Sequence, residues 1–294
     1  MTQKFGLSAA LTTPFKKDGT VDIDAMIAHA RRCLANGCDS VTLFGTTGEG
    51  CSVGSRERQV ILSRFIEAGV APSRLVTGVL VDSIEDAADQ SAEALKAGAR
   101  NILLAPPSYF KNVGDDGLFA WFSAVFEKIG KEARDILVYN IPSVTMVTLS
   151  VELVGRLKKT FPGIVTGVKD SSGNWSHTER LLKEHGDLAI LIGDERDLAK
   201  GVRLGGQGAI SGVANFLTQE VRAMAVDGKD DKRVEDLVVE LLKFPVTPAV
   251  KVLVSHTTGE NIWADVRAPL VAISAEDRRR IEGAFDALFR KQAA

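Results

Sequence analysis

Apolar residues along this chain follow two alternating rhythms. Short Val/Ile/Leu-rich runs are separated by longer stretches in which apolar positions recur every three or four residues. The runs are "LSAALTT" (7–13), "SVTLFG" (40–45), "RLVTGVL" (74–80), "NILLAP" (101–106), "DILVYN" (135–140), "GIVTGVK" (163–169), "LAILIGD" (188–194) and "QGAISG" (207–212). Between them lie helical stripes: Ile23, Met26, Ile27, Ala30, Cys33 and Leu34; Val60, Ile61, Phe65 and Ala68; an Ala-rich stretch over 84–97; and Leu118, Trp121, Phe122, Val125 and Phe126. Further helices are predicted over 150–159, 176–185 and 195–203. Near-continuous apolar strands alternating with helices predict a parallel sheet covered on both faces. Eight such units predict an α/β fold closed into a (β/α)₈ TIM barrel. An open doubly wound sheet is the alternative, and no G-x-G-x-x-G opens the first helix to support it. After about residue 215 the strands stop. Helical patterns continue over 216–228, 233–257 and 275–291. The expected division is a barrel over 1–225 and a helical extension over 226–294.

Composition narrows the function classes. The 294 residues are 45% hydrophobic, enough for a large core. The net charge of -2 offers no electrostatic footprint for nucleic acid or an anionic membrane surface. No apolar run is long enough to span a bilayer, and "MTQKFGLSAALTTPF" does not read as a signal peptide. Cys33, Cys38 and Cys51 form no paired framework and no C-x-x-C, so a reducing cytoplasm is expected.

In a barrel of this kind the chemistry gathers where strands end and βα loops begin. Those segments read "TTPF", "GTTGEG", "PPSYF", "YNIPS", "KDSSG", "GDE" and "ISG". They hold one lysine, two tyrosines, many hydroxyls and glycines, and no histidine. His29, His177, His185 and His256 share no ligand spacing, so all four read as solvated or locally satisfied surface groups and no metal is expected. Lys169 stands out. A lysine at a strand end often reaches solvent along its aliphatic stem. A barrel strand end instead opens onto an enclosed mouth, where an ammonium is disfavoured and a neutral amine can attack a carbonyl carbon. Strand alternation points the neighbouring Asp170 away from that mouth. Tyr139 ends the preceding strand, 30 positions earlier, and its phenol can relay protons. Asn140 and Pro142 follow as a turn. Thr46 and Thr47 lie in a glycine-flanked loop that suits a small carboxylate. Glu49 reads as a carboxylate that braces the loop.

Taken in order, "LTTPF", "GTTGEG", "PPSYF", "YNIPS", "GVKDSSGN", "GDE", "GGQGAISGVAN" and "DVRAPL" resemble the dihydrodipicolinate synthase / N-acetylneuraminate lyase superfamily of pyruvate-type class I aldolases over nearly the whole chain. The resemblance implies a Schiff base between Lys169 and the keto carbon of pyruvate or another 2-keto acid. It implies Tyr139 as proton shuttle. Thr46 and Tyr109 would complete a hydroxyl relay, with Tyr109 entering a neighbouring subunit's site. Thr47 and the amides around Gly48 would hold the 2-keto carboxylate, and Gly193 and Ile210 would line the pocket. Homotetramers built as dimers of dimers, with no metal and no organic cofactor, are the family pattern. One departure bears on substrate. Lysine-pathway synthases resemble "YNxPxRT" after the fifth strand, the arginine binding a second carboxylate. Here the stretch is "YNIPSVT", and Val144 stands at that place. A valine cannot pair with a carboxylate. Aldol cleavage or addition, or dehydration, of a 2-keto-3-deoxy acid fits better than true dihydrodipicolinate synthase activity; N-acetylneuraminate lyase is a further candidate. A carboxylate-binding barrel without turnover is the reading from a different class.

Overall fold

The computed structural model describes residues 4–290. Eight parallel strands close into one barrel in sequence order: β1 (Gly6–Ala10), β2 (Ser40–Leu43), β3 (Leu75–Val79), β4 (Asn101–Leu104), β5 (Ile136–Asn140), β6 (Val165–Asp170), β7 (Ala189–Ile192) and β8 (Gly208–Ser211). Each predicted run overlaps its strand and the strands are shorter; β1 begins one residue before its run and β6 ends one residue after its run. The ends of the runs, such as Thr12 and Thr13 or Phe44 and Gly45, leave the ladder to form the loops of the mouth.

The helices are α1 (Ile23–Ala35), α2 (Ser55–Glu67), α3 (Ile84–Lys96), α4 (Asp115–Ile129), the short α5 (Pro142–Thr145), α6 (Val151–Thr160), α7 (Trp175–Glu184), α8 (Glu195–Arg203), α9 (Thr218–Asp227), α10 (Lys232–Leu241), α11 (Val246–Thr258) and α12 (Ala275–Phe289). Their apolar stripes pack on the outside of the barrel. Met26, Ala30, Ile61, Phe65, Phe122 and Leu153 are all completely buried there. Each fully buried side chain of this size contributes about 1.5–3 kcal/mol.

The helical pattern over 233–257 is not one helix. It breaks between α10 and α11 at residues 242–245. Pro245 has no N–H to donate and restricts Phe244 before it. Pro248 lies in the first turn of α11, where a missing donor costs nothing. The break lets α10 pack on α8 and α12 while α11 leans over the end of β8. Together they roof one side of the barrel mouth.

A second correction concerns His29. It is completely buried, not a surface group. It lies on the apolar stripe of α1, three residues after Met26 and four before Cys33. Its Nε2 is 3.0 Å from Asn215 Oδ1, and its ring is tilted 4.7 Å from Trp263. Burial holds its imidazole down at about 4. His185 Nε2 meets the Val151 carbonyl oxygen, and His256 lies between Glu282 and Asp286.

Candidate active site

The register between β5 and β6 builds the centre of the site. Tyr139 is directly opposite Lys169, and Asn140 is opposite Asp170. In a parallel pair, opposed residues share a face. Tyr139 and Lys169 therefore point inward together, and Asn140 and Asp170 point outward together. The outward pair is buried against α7. Asp170 accepts from Asn140 Nδ2 at 2.8 Å and from Thr178 Oγ1 at 2.6 Å. Asn140 Oδ1 also accepts from the Leu149 amide. These bonds fix the ends of both strands, and so the inward pair.

Lys169 is 6% exposed. Its Nζ donates to Tyr139 Oη at 3.2 Å and sits 4.4 Å from the centre of the phenol ring. Tyr139 Oη is 3.4 Å from Thr46 Oγ1. A chain of three exchangeable groups thus runs from the amine, through the phenol, to the loop after β2. No carboxylate forms an ion pair with the amine among the described residues.

A cavity of about 340 Å³ opens over these groups. Thr46, Thr47, Gly193, Ile210 and Val144 line it alongside Tyr139 and Lys169. Gly193 is required by space: a Cβ there would come within 2.0 Å of Ser171 Oγ. Gly48 does not reach the cavity. It packs against the Leu11 carbonyl, where a Cβ would approach within 2.6 Å, and its own carbonyl accepts from Thr13 Oγ1. Its part is to shape the loop carrying Thr46 and Thr47. Tyr109 does not reach the cavity either. It is 78% exposed in the loop after β4, edge-on to Phe110.

Two contributors were not legible as site residues. Glu195 opens α8 and lines the cavity near Lys169. It accepts from Ser211 Oγ at 2.6 Å, and burial pushes its carboxyl above the usual range. An acid in the first turn of a helix reads as a dipole partner, which hid this position. The second is the roof. Val238, Leu241 and Leu242 of the α10 end and Val246, Thr247 and Val250 of α11 all face the cavity. Thr247 Oγ1 donates to the Thr46 carbonyl, tying roof to loop.

Glu49 braces that loop from below, as its sequence position suggested. It forms a completely buried ion pair with Lys251 of α11 and accepts from the Arg267 amide. Its backbone is left-handed, at a φ of 54°. Arg267, in the "DVRAPL" segment, donates further to Gly19, Ser52 and Glu57. Lys251 and Arg267 each lie 4.5 Å from the Phe15 ring. Lys251 was missed because it interrupts the apolar run of α11 with a single charge.

Among the described residues, no group of three or more His, Cys, Asp or Glu side chains is arranged to hold a metal ion. No helix of the described residues is long and apolar enough to cross a membrane.

Comparison with known proteins agrees with this fold. The chain is similar to a crystal structure of dihydrodipicolinate synthase from Agrobacterium tumefaciens str. C58, at 93% identity and a TM-score of 0.97, covering 98% of this chain and 100% of that one. A Sulfolobus solfataricus 2-keto-3-deoxygluconate aldolase variant shares the fold at 20% identity and a TM-score of 0.85, covering 97% of each chain. Among curated relatives, a 4-hydroxy-tetrahydrodipicolinate synthase of Sorangium cellulosum is 34% identical over 74% of this chain and 72% of its own length. An uncharacterized DapA-like lyase of Chloroflexus aurantiacus is 29% identical over 97% of both. The model of the dihydrodipicolinate synthetase family matches residues 3–288. The chain is therefore a member of the dihydrodipicolinate synthetase family, a lyase built on a (β/α)₈ barrel.

Proposed function

We propose that this lyase works through a Schiff base on Lys169, taking pyruvate or another 2-keto acid as its first substrate and making or breaking the C3–C4 bond of a 4-hydroxy-2-oxo acid. The observation that carries the reading is the buried amine without an ionic partner, 3.2 Å from the Tyr139 phenol at the floor of a cavity. Only a neutral amine is nucleophilic. Lys169 Nζ adds to the keto carbon, and loss of water leaves the imine. Tyr139 carries the protons of the carbinolamine step, with Thr46 next in line. The imine is an electron sink. It accepts the electron pair released when the C3–C4 bond breaks, and the C4 hydroxyl proton leaves as the aldehyde forms. The resulting enamine takes a proton at C3, and water hydrolyses the imine to release the 2-keto acid. Run backwards, the same steps add an aldehyde. Thr47, which lines the cavity, and the amides of its loop would hold the 2-keto carboxylate. Dehydration of a 2-keto-3-deoxy acid begins from the same imine.

True dihydrodipicolinate synthase activity is the second reading. It is favoured by the names of the relatives above. Against it stands Val144 at the cavity wall. The Arg196 guanidinium reaches the cavity but is held by the Asp194 carboxylate at 2.6 Å and 2.9 Å. The guanidinium at the cavity is thus already paired with a carboxylate.

The reading also takes residues 1–225 as the catalytic barrel and 226–294 as its roof, in a cytoplasmic enzyme. A dimer of dimers would bring Tyr109 of one subunit to its neighbour's cavity; the exposed Tyr109 and Phe110 are consistent with such a contact. Trapping with pyruvate and borohydride tests the chemistry. A stable adduct on Lys169 is expected, and folded protein that forms no adduct refutes it. Turnover of aspartate semialdehyde with pyruvate tests the second reading; weak activity or none is expected.

A further inference from the structure

We propose that the tail carried by C4 of the substrate is an uncharged, apolar group, branched alkyl or aromatic, seated between Val144 and the α10–α11 roof. This rests on the imine chemistry proposed above and names the substrate class of the same cavity.

The outer part of the cavity has two walls. One is apolar: Val144 on α5 faces Val238, Leu241, Leu242, Val246 and Val250 of the roof. Three of these keep much of their surface open at the mouth, Val144 at 58%, Leu242 at 52% and Val246 at 42% exposed. Exposed aliphatic surface converging on one opening gains by being covered.

The opposite wall is polar; its charged groups and the Ser172 hydroxyl already bond to neighbouring groups, and Ser143 and Ser171 supply its open hydroxyls. Ser172 Oγ donates to Asp170 and accepts from the Asn174 amide. Asp194 accepts from the Arg196 amide at 3.0 Å and from Nε and Nη2 of its guanidinium, so the two charges are already paired. Behind this wall, Ser211 Oγ donates to Glu195 and accepts from the Ala214 amide. A polyhydroxylated tail needs a partner for each hydroxyl it loses from water, and unpaired buried hydroxyls are costly. A carboxylated tail needs a cation, and the charge of Arg196 is already answered by Asp194. An apolar tail needs neither. The Glu195 carboxyl, which lines the cavity with Lys169, can meet a single hydroxyl there.

A panel of 4-hydroxy-2-oxo acids tests this on the full-length protein. The members share the reacting atoms and differ in the tail: phenyl, isopropyl, trihydroxypropyl and carboxymethyl. Pyruvate release is measured for each. The phenyl and isopropyl members are expected to exceed the other two in kcat/KM by at least about tenfold, a size one apolar pocket contact commonly gives. Equal or greater turnover of the trihydroxypropyl or carboxymethyl member overturns the proposal, as does a lack of turnover across the whole panel. Borohydride trapping of pyruvate alone is run in parallel. Trapping on Lys169 without the apolar preference refutes the tail assignment and leaves the imine chemistry standing; no trapping refutes the chemistry itself. Val144→Arg supplies a second arm. It is expected to narrow the apolar preference at least about fivefold relative to the carboxymethyl member. An unchanged ratio in folded V144R overturns the assignment of Val144 to the tail.

Discussion

Two buried lysines divide this molecule into a region that reacts and a region that holds. Lys169 sits at the mouth of the barrel with a phenol beside it. Lys251 sits in the seam where α11 meets the loop after β2, with Glu49 and the Asp265 carbonyl around its ammonium and Phe15 beneath it. Both are nearly inaccessible, at 6% and 1%. Burial alone therefore does not mark a nucleophile. Partner and access do. A carboxylate in contact answers the charge of Lys251, whereas a cavity opens onto Lys169. Burial still pushes the Lys251 amine below its usual range, with Glu49 opposing. Among the described residues no carboxylate pairs with Lys169, and its amine faces open volume.

The contrast gives its largest expected effect at Lys169 itself. Lys169→Ala removes the nucleophile and should lower turnover at least about a thousandfold. Pyruvate binding measured by calorimetry should weaken too, because the imine is part of it. Tyr139→Phe keeps the ring and deletes the relay; a loss of about a hundredfold or more in kcat is expected. If Y139F kept wild-type kcat, the proton path proposed for the mouth would be wrong.

Lys251 should fail differently. Lys251→Met leaves Glu49 buried and uncompensated, at a cost of about 3–5 kcal/mol in stability. Denaturant titration measures it. The K251M/E49Q pair should recover part of that loss, because no charge is then left unpaired. Protein of either variant that remains folded should still trap pyruvate, which separates holding from reacting.

The smallest effect lies deeper in the seam, at His29. Its folded pKa of about 4 is below the ordinary 6.5, so the unfolded chain takes up the proton more readily. The associated stability is complete above about pH 6.5 and is lost as pH falls through about 4. The gap corresponds to about 3 kcal/mol at most. In denaturation series at pH 7 and pH 4, His29→Gln should reduce the acid-induced loss by that order. An unchanged loss would place the acid sensitivity elsewhere.

The sequence carried the mouth more clearly than the seam, for a physical reason. Strand period and loop chemistry are local, so the run ending in Lys169 and the one ending in Tyr139 could be read one at a time. Their 30-residue spacing, about one β/α unit, then predicted neighbours, and the register pairs them. Glu195 and Lys251 depend on packing between distant segments. Glu195 takes its environment from Ser211 on the next strand, and Lys251 from Glu49, about two hundred residues away. Nothing near either residue in sequence announces the partner. His29 carried a usable signal, its place on the apolar stripe of α1, but its partners Asn215 and Trp263 lie far along the chain. The break between α10 and α11 was local too: Pro245 was visible, yet the apolar period on either side masked it.

The most direct measurement sets the two lysines against each other in one tube. Folded protein is incubated with pyruvate, reduced with borohydride, digested, and its lysine peptides are weighed. The account predicts a reduced pyruvyl adduct on Lys169 and an unmodified Lys251. An unmodified Lys169 in folded protein, or an adduct on Lys251 in its place, would contradict it.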